Sequence, residues 1–149
     1  MSSRVIFSLI LFISLNINDA STEEYFLTLR NDKVNLRQGP SFEYPIKLFY
    51  KKKYLPVLVQ DKSNNFIKIR DHENNTGWIH ISQLSKKKSG INIDENLIVF
   101  QNPTLYSKPL VILQKGRLCI IKRCKNIWCK IKTGDVNGWV KKESLWGRM

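Results

Sequence analysis

A nine-residue phrase occurs twice in this 149-residue chain. Thr76–Leu84 reads TGWIHISQL and Asn137–Leu145 reads NGWVKKESL, so each copy has a Gly-Trp-aliphatic step and a Leu six residues after the Trp. The two tryptophans are 61 residues apart, and so are the two leucines. Self-similarity at a period of about sixty residues predicts two structural units in tandem, each with a small core of its own.

The repeat extends beyond the Gly-Trp phrase. Val34–Leu84 aligns with Ile98–Leu145, and Pro40 falls opposite Pro103, 63 residues further on. A drift of one or two residues in the spacing is typical of small insertions in loops. The polar, basic stretch at 86–91, which contains three consecutive lysines and a Gly, is the predicted linker between the units.

Short strands dominate the pattern after residue 20. Lys53–Gln60 and Phe66–Arg70 flank the polar turn Asp61–Asn65 and predict a hairpin, and Leu118–Cys124 with Ile127–Lys132 predict its counterpart. No long stretch has a helical period, and the segment after each Gly-Trp strand is long enough only for a single 3₁₀ turn. About five short strands per unit predict an all-β fold of two small β-barrels, which would leave few exposed sheet edges.

The N-terminal segment has the layout of a secretory signal peptide. Arg4 supplies a positive charge, Val5–Leu15 is almost unbroken apolar sequence, and Ala20 offers a small residue for cleavage. This apolar run is too short to cross a bilayer comfortably, so we expect residues 1–20 to be a signal peptide rather than a transmembrane helix. We expect no transmembrane span in the mature chain. The alternative is an uncleaved amphipathic anchor.

Charge narrows the partners. The formal net charge is +13, from 25 basic and 12 acidic residues, which favours anionic partners such as nucleic acid, acidic lipid or an anionic polymer. Export argues against nucleic acid, which we therefore rank below the other anionic partners.

The opening of the first unit resembles the bacterial SH3-like (SH3b) domain family. VNLRQGPSFEYPI at 34–46 has its aliphatic-Asn-aliphatic-Arg strand, Gly-Pro-Ser turn and Tyr-Pro-aliphatic step, and the Gly-Trp-aliphatic strand is the family's other fixed point. The second unit is degenerate, because Gln101–Thr104 keeps the Pro but lacks the Arg and Gly. Its CKNIWCKI, GWV and LWG segments resemble the ending of a subgroup of exported two-unit proteins in Gram-negative bacteria.

The resemblance implies two small SH3-like β-barrels in tandem after the signal peptide, at about 26–85 and 92–147. It also implies an exported protein, in this case periplasmic in a Gram-negative bacterium, with a binding role towards peptidoglycan or its peptides.

No catalytic constellation is visible in the sequence. A Cys–His hydrolase dyad would need a cysteine within reach of a histidine, but all three cysteines lie in the second unit and both histidines lie in the first. We therefore interpret His72, in a polar turn, and His80, in the Gly-Trp strand, as surface residues. No His, Asp, Glu or Cys cluster has metal-ligand spacing, and no Gly-rich phosphate loop is present. We therefore expect no enzyme activity, no metal and no cofactor.

The three cysteines allow one disulfide. Cys124 and Cys129 face each other across the predicted turn of the second hairpin, and export permits their oxidation. A bond there would remove roughly 2 kcal/mol of unfolded-state freedom. We expect this pair to be bonded and Cys119 to be a buried free thiol; the alternative is ordinary half-buried thiols.

Loop residues are the predicted ligand contacts, because loops carry function more often than barrel walls do. The candidates are Arg37, Ser41, Phe42, Tyr44 and, in the second unit, Tyr106. The alternative is that Phe42 and Tyr44 cap the barrel. The repeated phrase receives a structural interpretation, in which the glycine gives a close turn and the tryptophan fills the wall; its residues are Gly77, Trp78, Gly138 and Trp139.

Three functions remain open from the sequence. The first is a non-catalytic module that contacts peptidoglycan or an envelope protein. The second is a protein–protein scaffold of the envelope that does not bind glycan. The third is a binder of anionic lipid or nucleic acid.

Overall fold

The computed structural model describes residues 24–149, so the predicted signal peptide lies outside the described residues. The first unit has seven strands: β1 Tyr25–Leu29, β2 Val34–Arg37, β3 Ile46–Tyr50, β4 Pro56–Ser63, β5 Phe66–Arg70, β6 Thr76–His80 and β7 Leu84–Ser85. The second also has seven: β8 Ser89–Asn92, β9 Asn96–Phe100, β10 Pro109–Gln114, β11 Leu118–Lys125, β12 Trp128–Thr133, β13 Val136–Lys141 and β14 Leu145–Arg148. A single 3₁₀ turn follows each Gly-Trp strand, at Ile81–Gln83 and Lys142–Ser144.

The two units have the same topology. The first sheet has the order β3-β2-β6-β5-β4-β1-β7, and the second has the order β10-β9-β13-β12-β11-β8-β14. Each strand of the second sheet is the seventh after its counterpart in the first, and neighbouring strands are antiparallel. The predicted all-β fold of two SH3-like barrels in tandem is confirmed. The count of about five strands per unit was too low, because β1 and β8 lie before the aligned segments Val34–Leu84 and Ile98–Leu145, and β7 and β14 begin only at the last residue of those segments.

The turn of the first hairpin is tighter than predicted. Asp61–Ser63 belong to β4 rather than to the turn, which is reduced to Asn64 and Asn65. Asn64 has φ 52° and Asn126, at the equivalent turn of the second unit, has φ 55°. Asn tolerates this left-handed region better than most residues, which allows a two-residue connection matched to the twist of the strands.

The predicted cysteine pair lies in the strands that flank the second of these turns. Cys124 pairs with Cys129 in the register of β11 and β12, and the two sulfur atoms are bonded. Cys119 is fully buried and free. Burial raises the pKa of the Cys119 thiol to about 11, although the charges of Arg117 and Lys52 act in the opposite direction.

Each sheet encloses its own apolar core, but the second unit contributes to the first. The first core consists of Leu29, Val34, Leu36, Tyr50, Leu55, Val57, Val59, Ile67, Ile69, Ile79, Leu84 and Ile91. Ile91 belongs to β8 in the second sheet, and Leu118 of β11 also packs against this cluster. The first barrel is therefore completed by side chains from its neighbour.

The connection between the units is short and is held to the first unit by a hydrogen bond. Ser89, Gly90 and Ile91, which the sequence analysis placed in the linker, lie in β8 and are buried. They are the second unit's counterpart of β1, which a polar, Gly-containing sequence does not reveal. The remaining connection is Lys86–Lys88, and the hydroxyl of Thr28 donates a hydrogen bond to the Lys87 carbonyl at 2.9 Å.

The last strand ties the second unit to the first. Arg148 Nη1 donates to the Phe26 carbonyl oxygen at 2.8 Å, and its Nε donates to the Lys86 carbonyl at 3.0 Å. Trp146 meets the ring of Phe26 edge-on, with centroids 4.8 Å apart. In the described part of the chain, no helix is long and apolar enough to cross a membrane.

Candidate functional site

Arg37 organises the loop between β2 and β3. Its Nη1 donates hydrogen bonds to the carbonyl oxygens of Phe42, at 3.1 Å, and Tyr44, at 2.9 Å. The guanidinium carbon also lies 5.3 Å from the centroid of the Phe42 ring, a cation–π distance. Arg37 was predicted to contact ligand, and the structure directs its side chain to the loop backbone, so its effect on a ligand would be to hold the loop in shape.

Phe42 is displayed at the tip of this loop. Its side chain is 63% exposed, yet it stacks on His80 and meets Phe66 edge-on, with both pairs of centroids 5.1 Å apart. Phe66 is buried beneath it. We call Phe42, Phe66 and His80 the Phe42 cluster. It offers an apolar, partly exposed face that is fixed in place before any ligand arrives.

His80 contributes the stacking surface of the cluster. Its Nδ1 accepts from the Ser82 backbone N–H at 3.2 Å and lies 2.7 Å from the Ser82 hydroxyl. Because Nδ1 accepts a hydrogen bond, the ring is held in one orientation against Phe42. His80 was interpreted from the sequence as a surface residue, and its role in this cluster was missed.

The other predicted ligand contacts are dispersed. The Ser41 hydroxyl accepts from the Glu43 N–H at 3.1 Å, so it shapes the turn. Tyr44 lies over Gly39, where a Cβ would collide with the tyrosine ring. Tyr106 is 99% exposed in the equivalent loop of the second unit, and within residues 24–149 no aromatic pair joins it to the Phe42 cluster.

The glycines of the repeated phrase serve a close approach of strands rather than a turn. Gly77 and Gly138 lie inside β6 and β13. A Cβ on Gly77 would stand 2.7 Å from the Arg37 carbonyl oxygen, and one on Gly138 would stand 2.7 Å from the Phe100 carbonyl oxygen. The glycine lets the Gly-Trp strand cross against β2 or β9, which brings the adjacent Trp onto the outer face.

The strand register places a row of side chains at equivalent positions on the outer face of each sheet. The row through Trp78 contains Asp61, Lys68, Trp78 and Arg37. The row through Trp139 contains Arg123, Lys130, Trp139 and Phe100. Trp78 is half-buried and Trp139 is 7% exposed, so both belong largely to the barrel wall.

The rows contain residues that sequence reasoning did not single out, above all Arg123 and Lys130. The spacing of the repeat could have identified these two residues, because Arg123 and Lys130 lie 62 residues after Asp61 and Lys68. In the part of the chain that the structure describes, no group of three or more His, Cys, Asp or Glu side chains could hold a metal ion.

Comparison with known proteins identifies the repeat. The family described as "Bacterial SH3 domain" matches residues 30–86 and 94–147, one segment in each unit. No curated protein matches the chain.

Several solved structures are similar at low identity. NlpC2 from Trichomonas vaginalis is 12% identical with a TM-score of 0.38, covering 83% of this chain and 48% of its own. NlpC1 from the same organism is 13% identical with a TM-score of 0.38, covering 91% and 50%. An NlpC/P60 family protein from Bacillus cereus ATCC 10987 is 12% identical with a TM-score of 0.37, covering 81% and 55%.

The chain thus spans about half the length of these solved structures. The family match covers most of both units, and the topology repeats along with it. This chain belongs to the bacterial SH3 domain family.

Proposed function

We propose that the protein is a non-catalytic, exported binding module that contacts peptidoglycan or a cell-envelope protein through the Phe42 cluster. The observation that carries the proposal is Phe42, a large apolar ring held 63% exposed on a loop that Arg37 fixes by two hydrogen bonds. An exposed ring fixed in this way loses little conformational freedom when a partner covers it, which favours binding.

Peptidoglycan suits this surface in two respects. Sugar rings and short peptides both present apolar faces that pack on an aromatic ring, and the wall polymer carries carboxylates that a basic protein attracts. Family membership supports a binding role, since the bacterial SH3 domain is a binding-domain family.

The test is retention on purified peptidoglycan across a salt series. We expect the wild-type protein to be retained at salt concentrations that remove bare charge attraction. Phe42→Ala should lose about tenfold in affinity, because a desolvated aromatic contact contributes on the order of 1–2 kcal/mol. The matched control is Ile127→Ala, which removes a side chain of similar exposure, 59%, from a hairpin tip of the other unit. Equal loss in both variants, or retention that disappears in proportion to salt, contradicts the proposal.

A protein–protein scaffold is the second candidate, and the sheet edges favour it. β3 and β10 end their sheets at equivalent positions and expose the apolar side chains of Ile46, Phe49, Leu110 and Ile112. Exposed edges of this kind are suited to pairing with a partner strand. No retention on peptidoglycan at any salt concentration, together with site-specific cross-linking from Ile112 to one envelope protein, would support this alternative.

A further inference from the structure

We propose that the second unit binds acidic peptides in a cleft beside Trp139, independently of the Phe42 cluster in the first unit. The cleft has a volume of about 680 Å³ and is lined by Arg123, Lys125, Lys130, Trp139 and the turn at 101–103. We call it the Trp139 cleft.

The lining of the cleft is positively charged and lacks a carboxylate. In residues 24–149 the ion pairs are His72–Glu73 and Lys115–Glu95, so the three cations of the cleft have no acidic partner within the fold. Three like charges around one concave surface repel one another and raise the local potential for an anion. A ligand with carboxylates would neutralise them.

The first unit supplies an internal comparison. Asp61 occupies the position in its sheet that Arg123 occupies in the second, beside a lysine in both cases. Two residues further on, Ser63 occupies the position of Lys125. The equivalent row of the first unit therefore sets the Asp61 carboxylate against Lys68 and Arg37, whereas the cleft of the second unit has three cations and no carboxylate, so the attraction for anions is stronger in the second unit.

The state of Trp139 argues for a peptide rather than a nucleic acid. The guanidinium carbon of Arg123 lies 5.4 Å from the centroid of the Trp139 ring, and the tryptophan is only 7% exposed. Single-stranded nucleic acid is bound largely by stacking of bases on open aromatic faces, and this face is already covered. A stacked guanidinium keeps its planar N–H edge for two hydrogen bonds to one carboxylate.

The remaining wall fits a peptide backbone. Gln101 and Asn102 are exposed at the rim of the cleft. Side-chain amides both donate and accept hydrogen bonds, so they match the N–H and C=O groups of an extended peptide. Cations for the acidic side chains and amides for the backbone together define the class of ligand.

Fluorescence anisotropy with a labelled hexaglutamate peptide tests the proposal on the intact protein. We expect Lys130→Gln and Arg123→Asp, which installs the first unit's residue, each to weaken binding at least about tenfold, the size of one lost charge-assisted hydrogen bond. The matched control is Lys132→Gln on the same strand, which removes an equal charge outside the cleft and should change affinity less than about twofold. Lys125→Gln, at an exposed position near the hairpin turn, provides a further cleft variant should Arg123→Asp fold poorly.

Two outcomes overturn the proposal. One is equal weakening by the Lys132 and Lys130 variants, which would indicate a diffuse charge effect. The other is a labelled dT12 oligonucleotide that binds as tightly as hexaglutamate with the same sensitivity to the variants, which would make the cleft a nucleic-acid site. Phe42→Ala should leave hexaglutamate affinity unchanged, so failure of the cleft and failure of the Phe42 cluster are separate results.

Discussion

At the scale of single residues, the two repeated glycines have a role that only the paired strands reveal. Gly138 faces Val99 and the Phe100 carbonyl across a strand contact that has no room for a methyl group. The neighbour on one side is backbone, which cannot move aside as the end of a long side chain could.

We expect Gly138→Ala to lower the free energy of unfolding by about 2–3 kcal/mol, because its Cβ would lie 2.5 Å from Val99 Cγ1 and 2.7 Å from the Phe100 oxygen. Urea denaturation followed by tryptophan fluorescence measures the loss. Asn137→Ala, at the exposed preceding position, is the control and should change stability by less than about 0.5 kcal/mol. A Gly138→Ala protein as stable as the wild type would contradict the close approach.

A second residue-scale prediction concerns alkaline pH. Burial, with the hydrogen bond to Asp71, raises the pKa of the Tyr50 hydroxyl above its ordinary value of 10.0. Above pH 10 the unfolded chain therefore binds fewer protons than the folded one, and stability falls by up to about 1.4 kcal/mol per pH unit from this group. Below pH 10 its contribution is fully present.

Tyr50→Phe is the matched variant for this effect. It should cost about 1–2 kcal/mol at pH 7, where the hydrogen bond to Asp71 is lost, and the cost should shrink as pH rises above 10. Urea unfolding of both proteins at several pH values between 7 and 11 gives the difference curve. A difference that stays constant above pH 10 would show that Tyr50 titrates normally.

Sequence reasoning found residues at this scale where chemistry is local and missed them where it depends on pairing. The Gly-Trp steps, Arg37 and Phe42 were visible because they stand in a repeated or recognisable phrase. The partners of Arg37 were not visible, since its hydrogen bonds depend on how residues 42–44 fold back over β2.

At the scale of elements, the β11–β12 hairpin is the piece most dependent on covalent support. Its turn projects Ile127 into solvent, and the disulfide joins Cys124 to Cys129 two residues from that turn on either side. By the loop-entropy estimate, Cys124→Ser with Cys129→Ser should lower the free energy of unfolding by about 2 kcal/mol.

Intact mass with and without reductant, after alkylation, checks the pairing itself. We expect one alkylation in the denatured, non-reduced protein, at Cys119, and three after reduction. Three alkylations without reductant would remove the basis for the stability prediction.

Whole strands were predicted better than their ends. Alternation of Lys with apolar residues identified β5 and β12 correctly, whereas β8 was hidden in a basic, Gly-containing stretch. The physical reason is that β8 is buried on both faces, so it has no polar–apolar alternation for a pattern to detect.

At the scale of the whole molecule, Ile91 couples the stability of the first unit to mutations in the second. It is 2% exposed and lies in the core of the first barrel although its strand belongs to the second sheet. Ile91→Ala should cost about 2–4 kcal/mol and should reduce amide hydrogen-exchange protection in β4, the first-unit strand that β8 contacts, as well as in β8 itself. Ile112→Ala, an exposed residue on the edge strand β10, is the control and should leave protection unchanged. Loss confined to the second unit would contradict a shared core.

The shared core also constrains which units of the repeat can be exchanged in evolution. A tandem repeat is often treated as a set of cassettes that can be lost, duplicated or exchanged one at a time. Here the second barrel supplies Ile91 and Leu118 to its neighbour, so a foreign barrel in its place would leave the first one with an open wall. Sequence changes in the loops of the second unit leave this shared core intact, whereas β8 must both pair within the second sheet and supply Ile91 to the core of the first barrel.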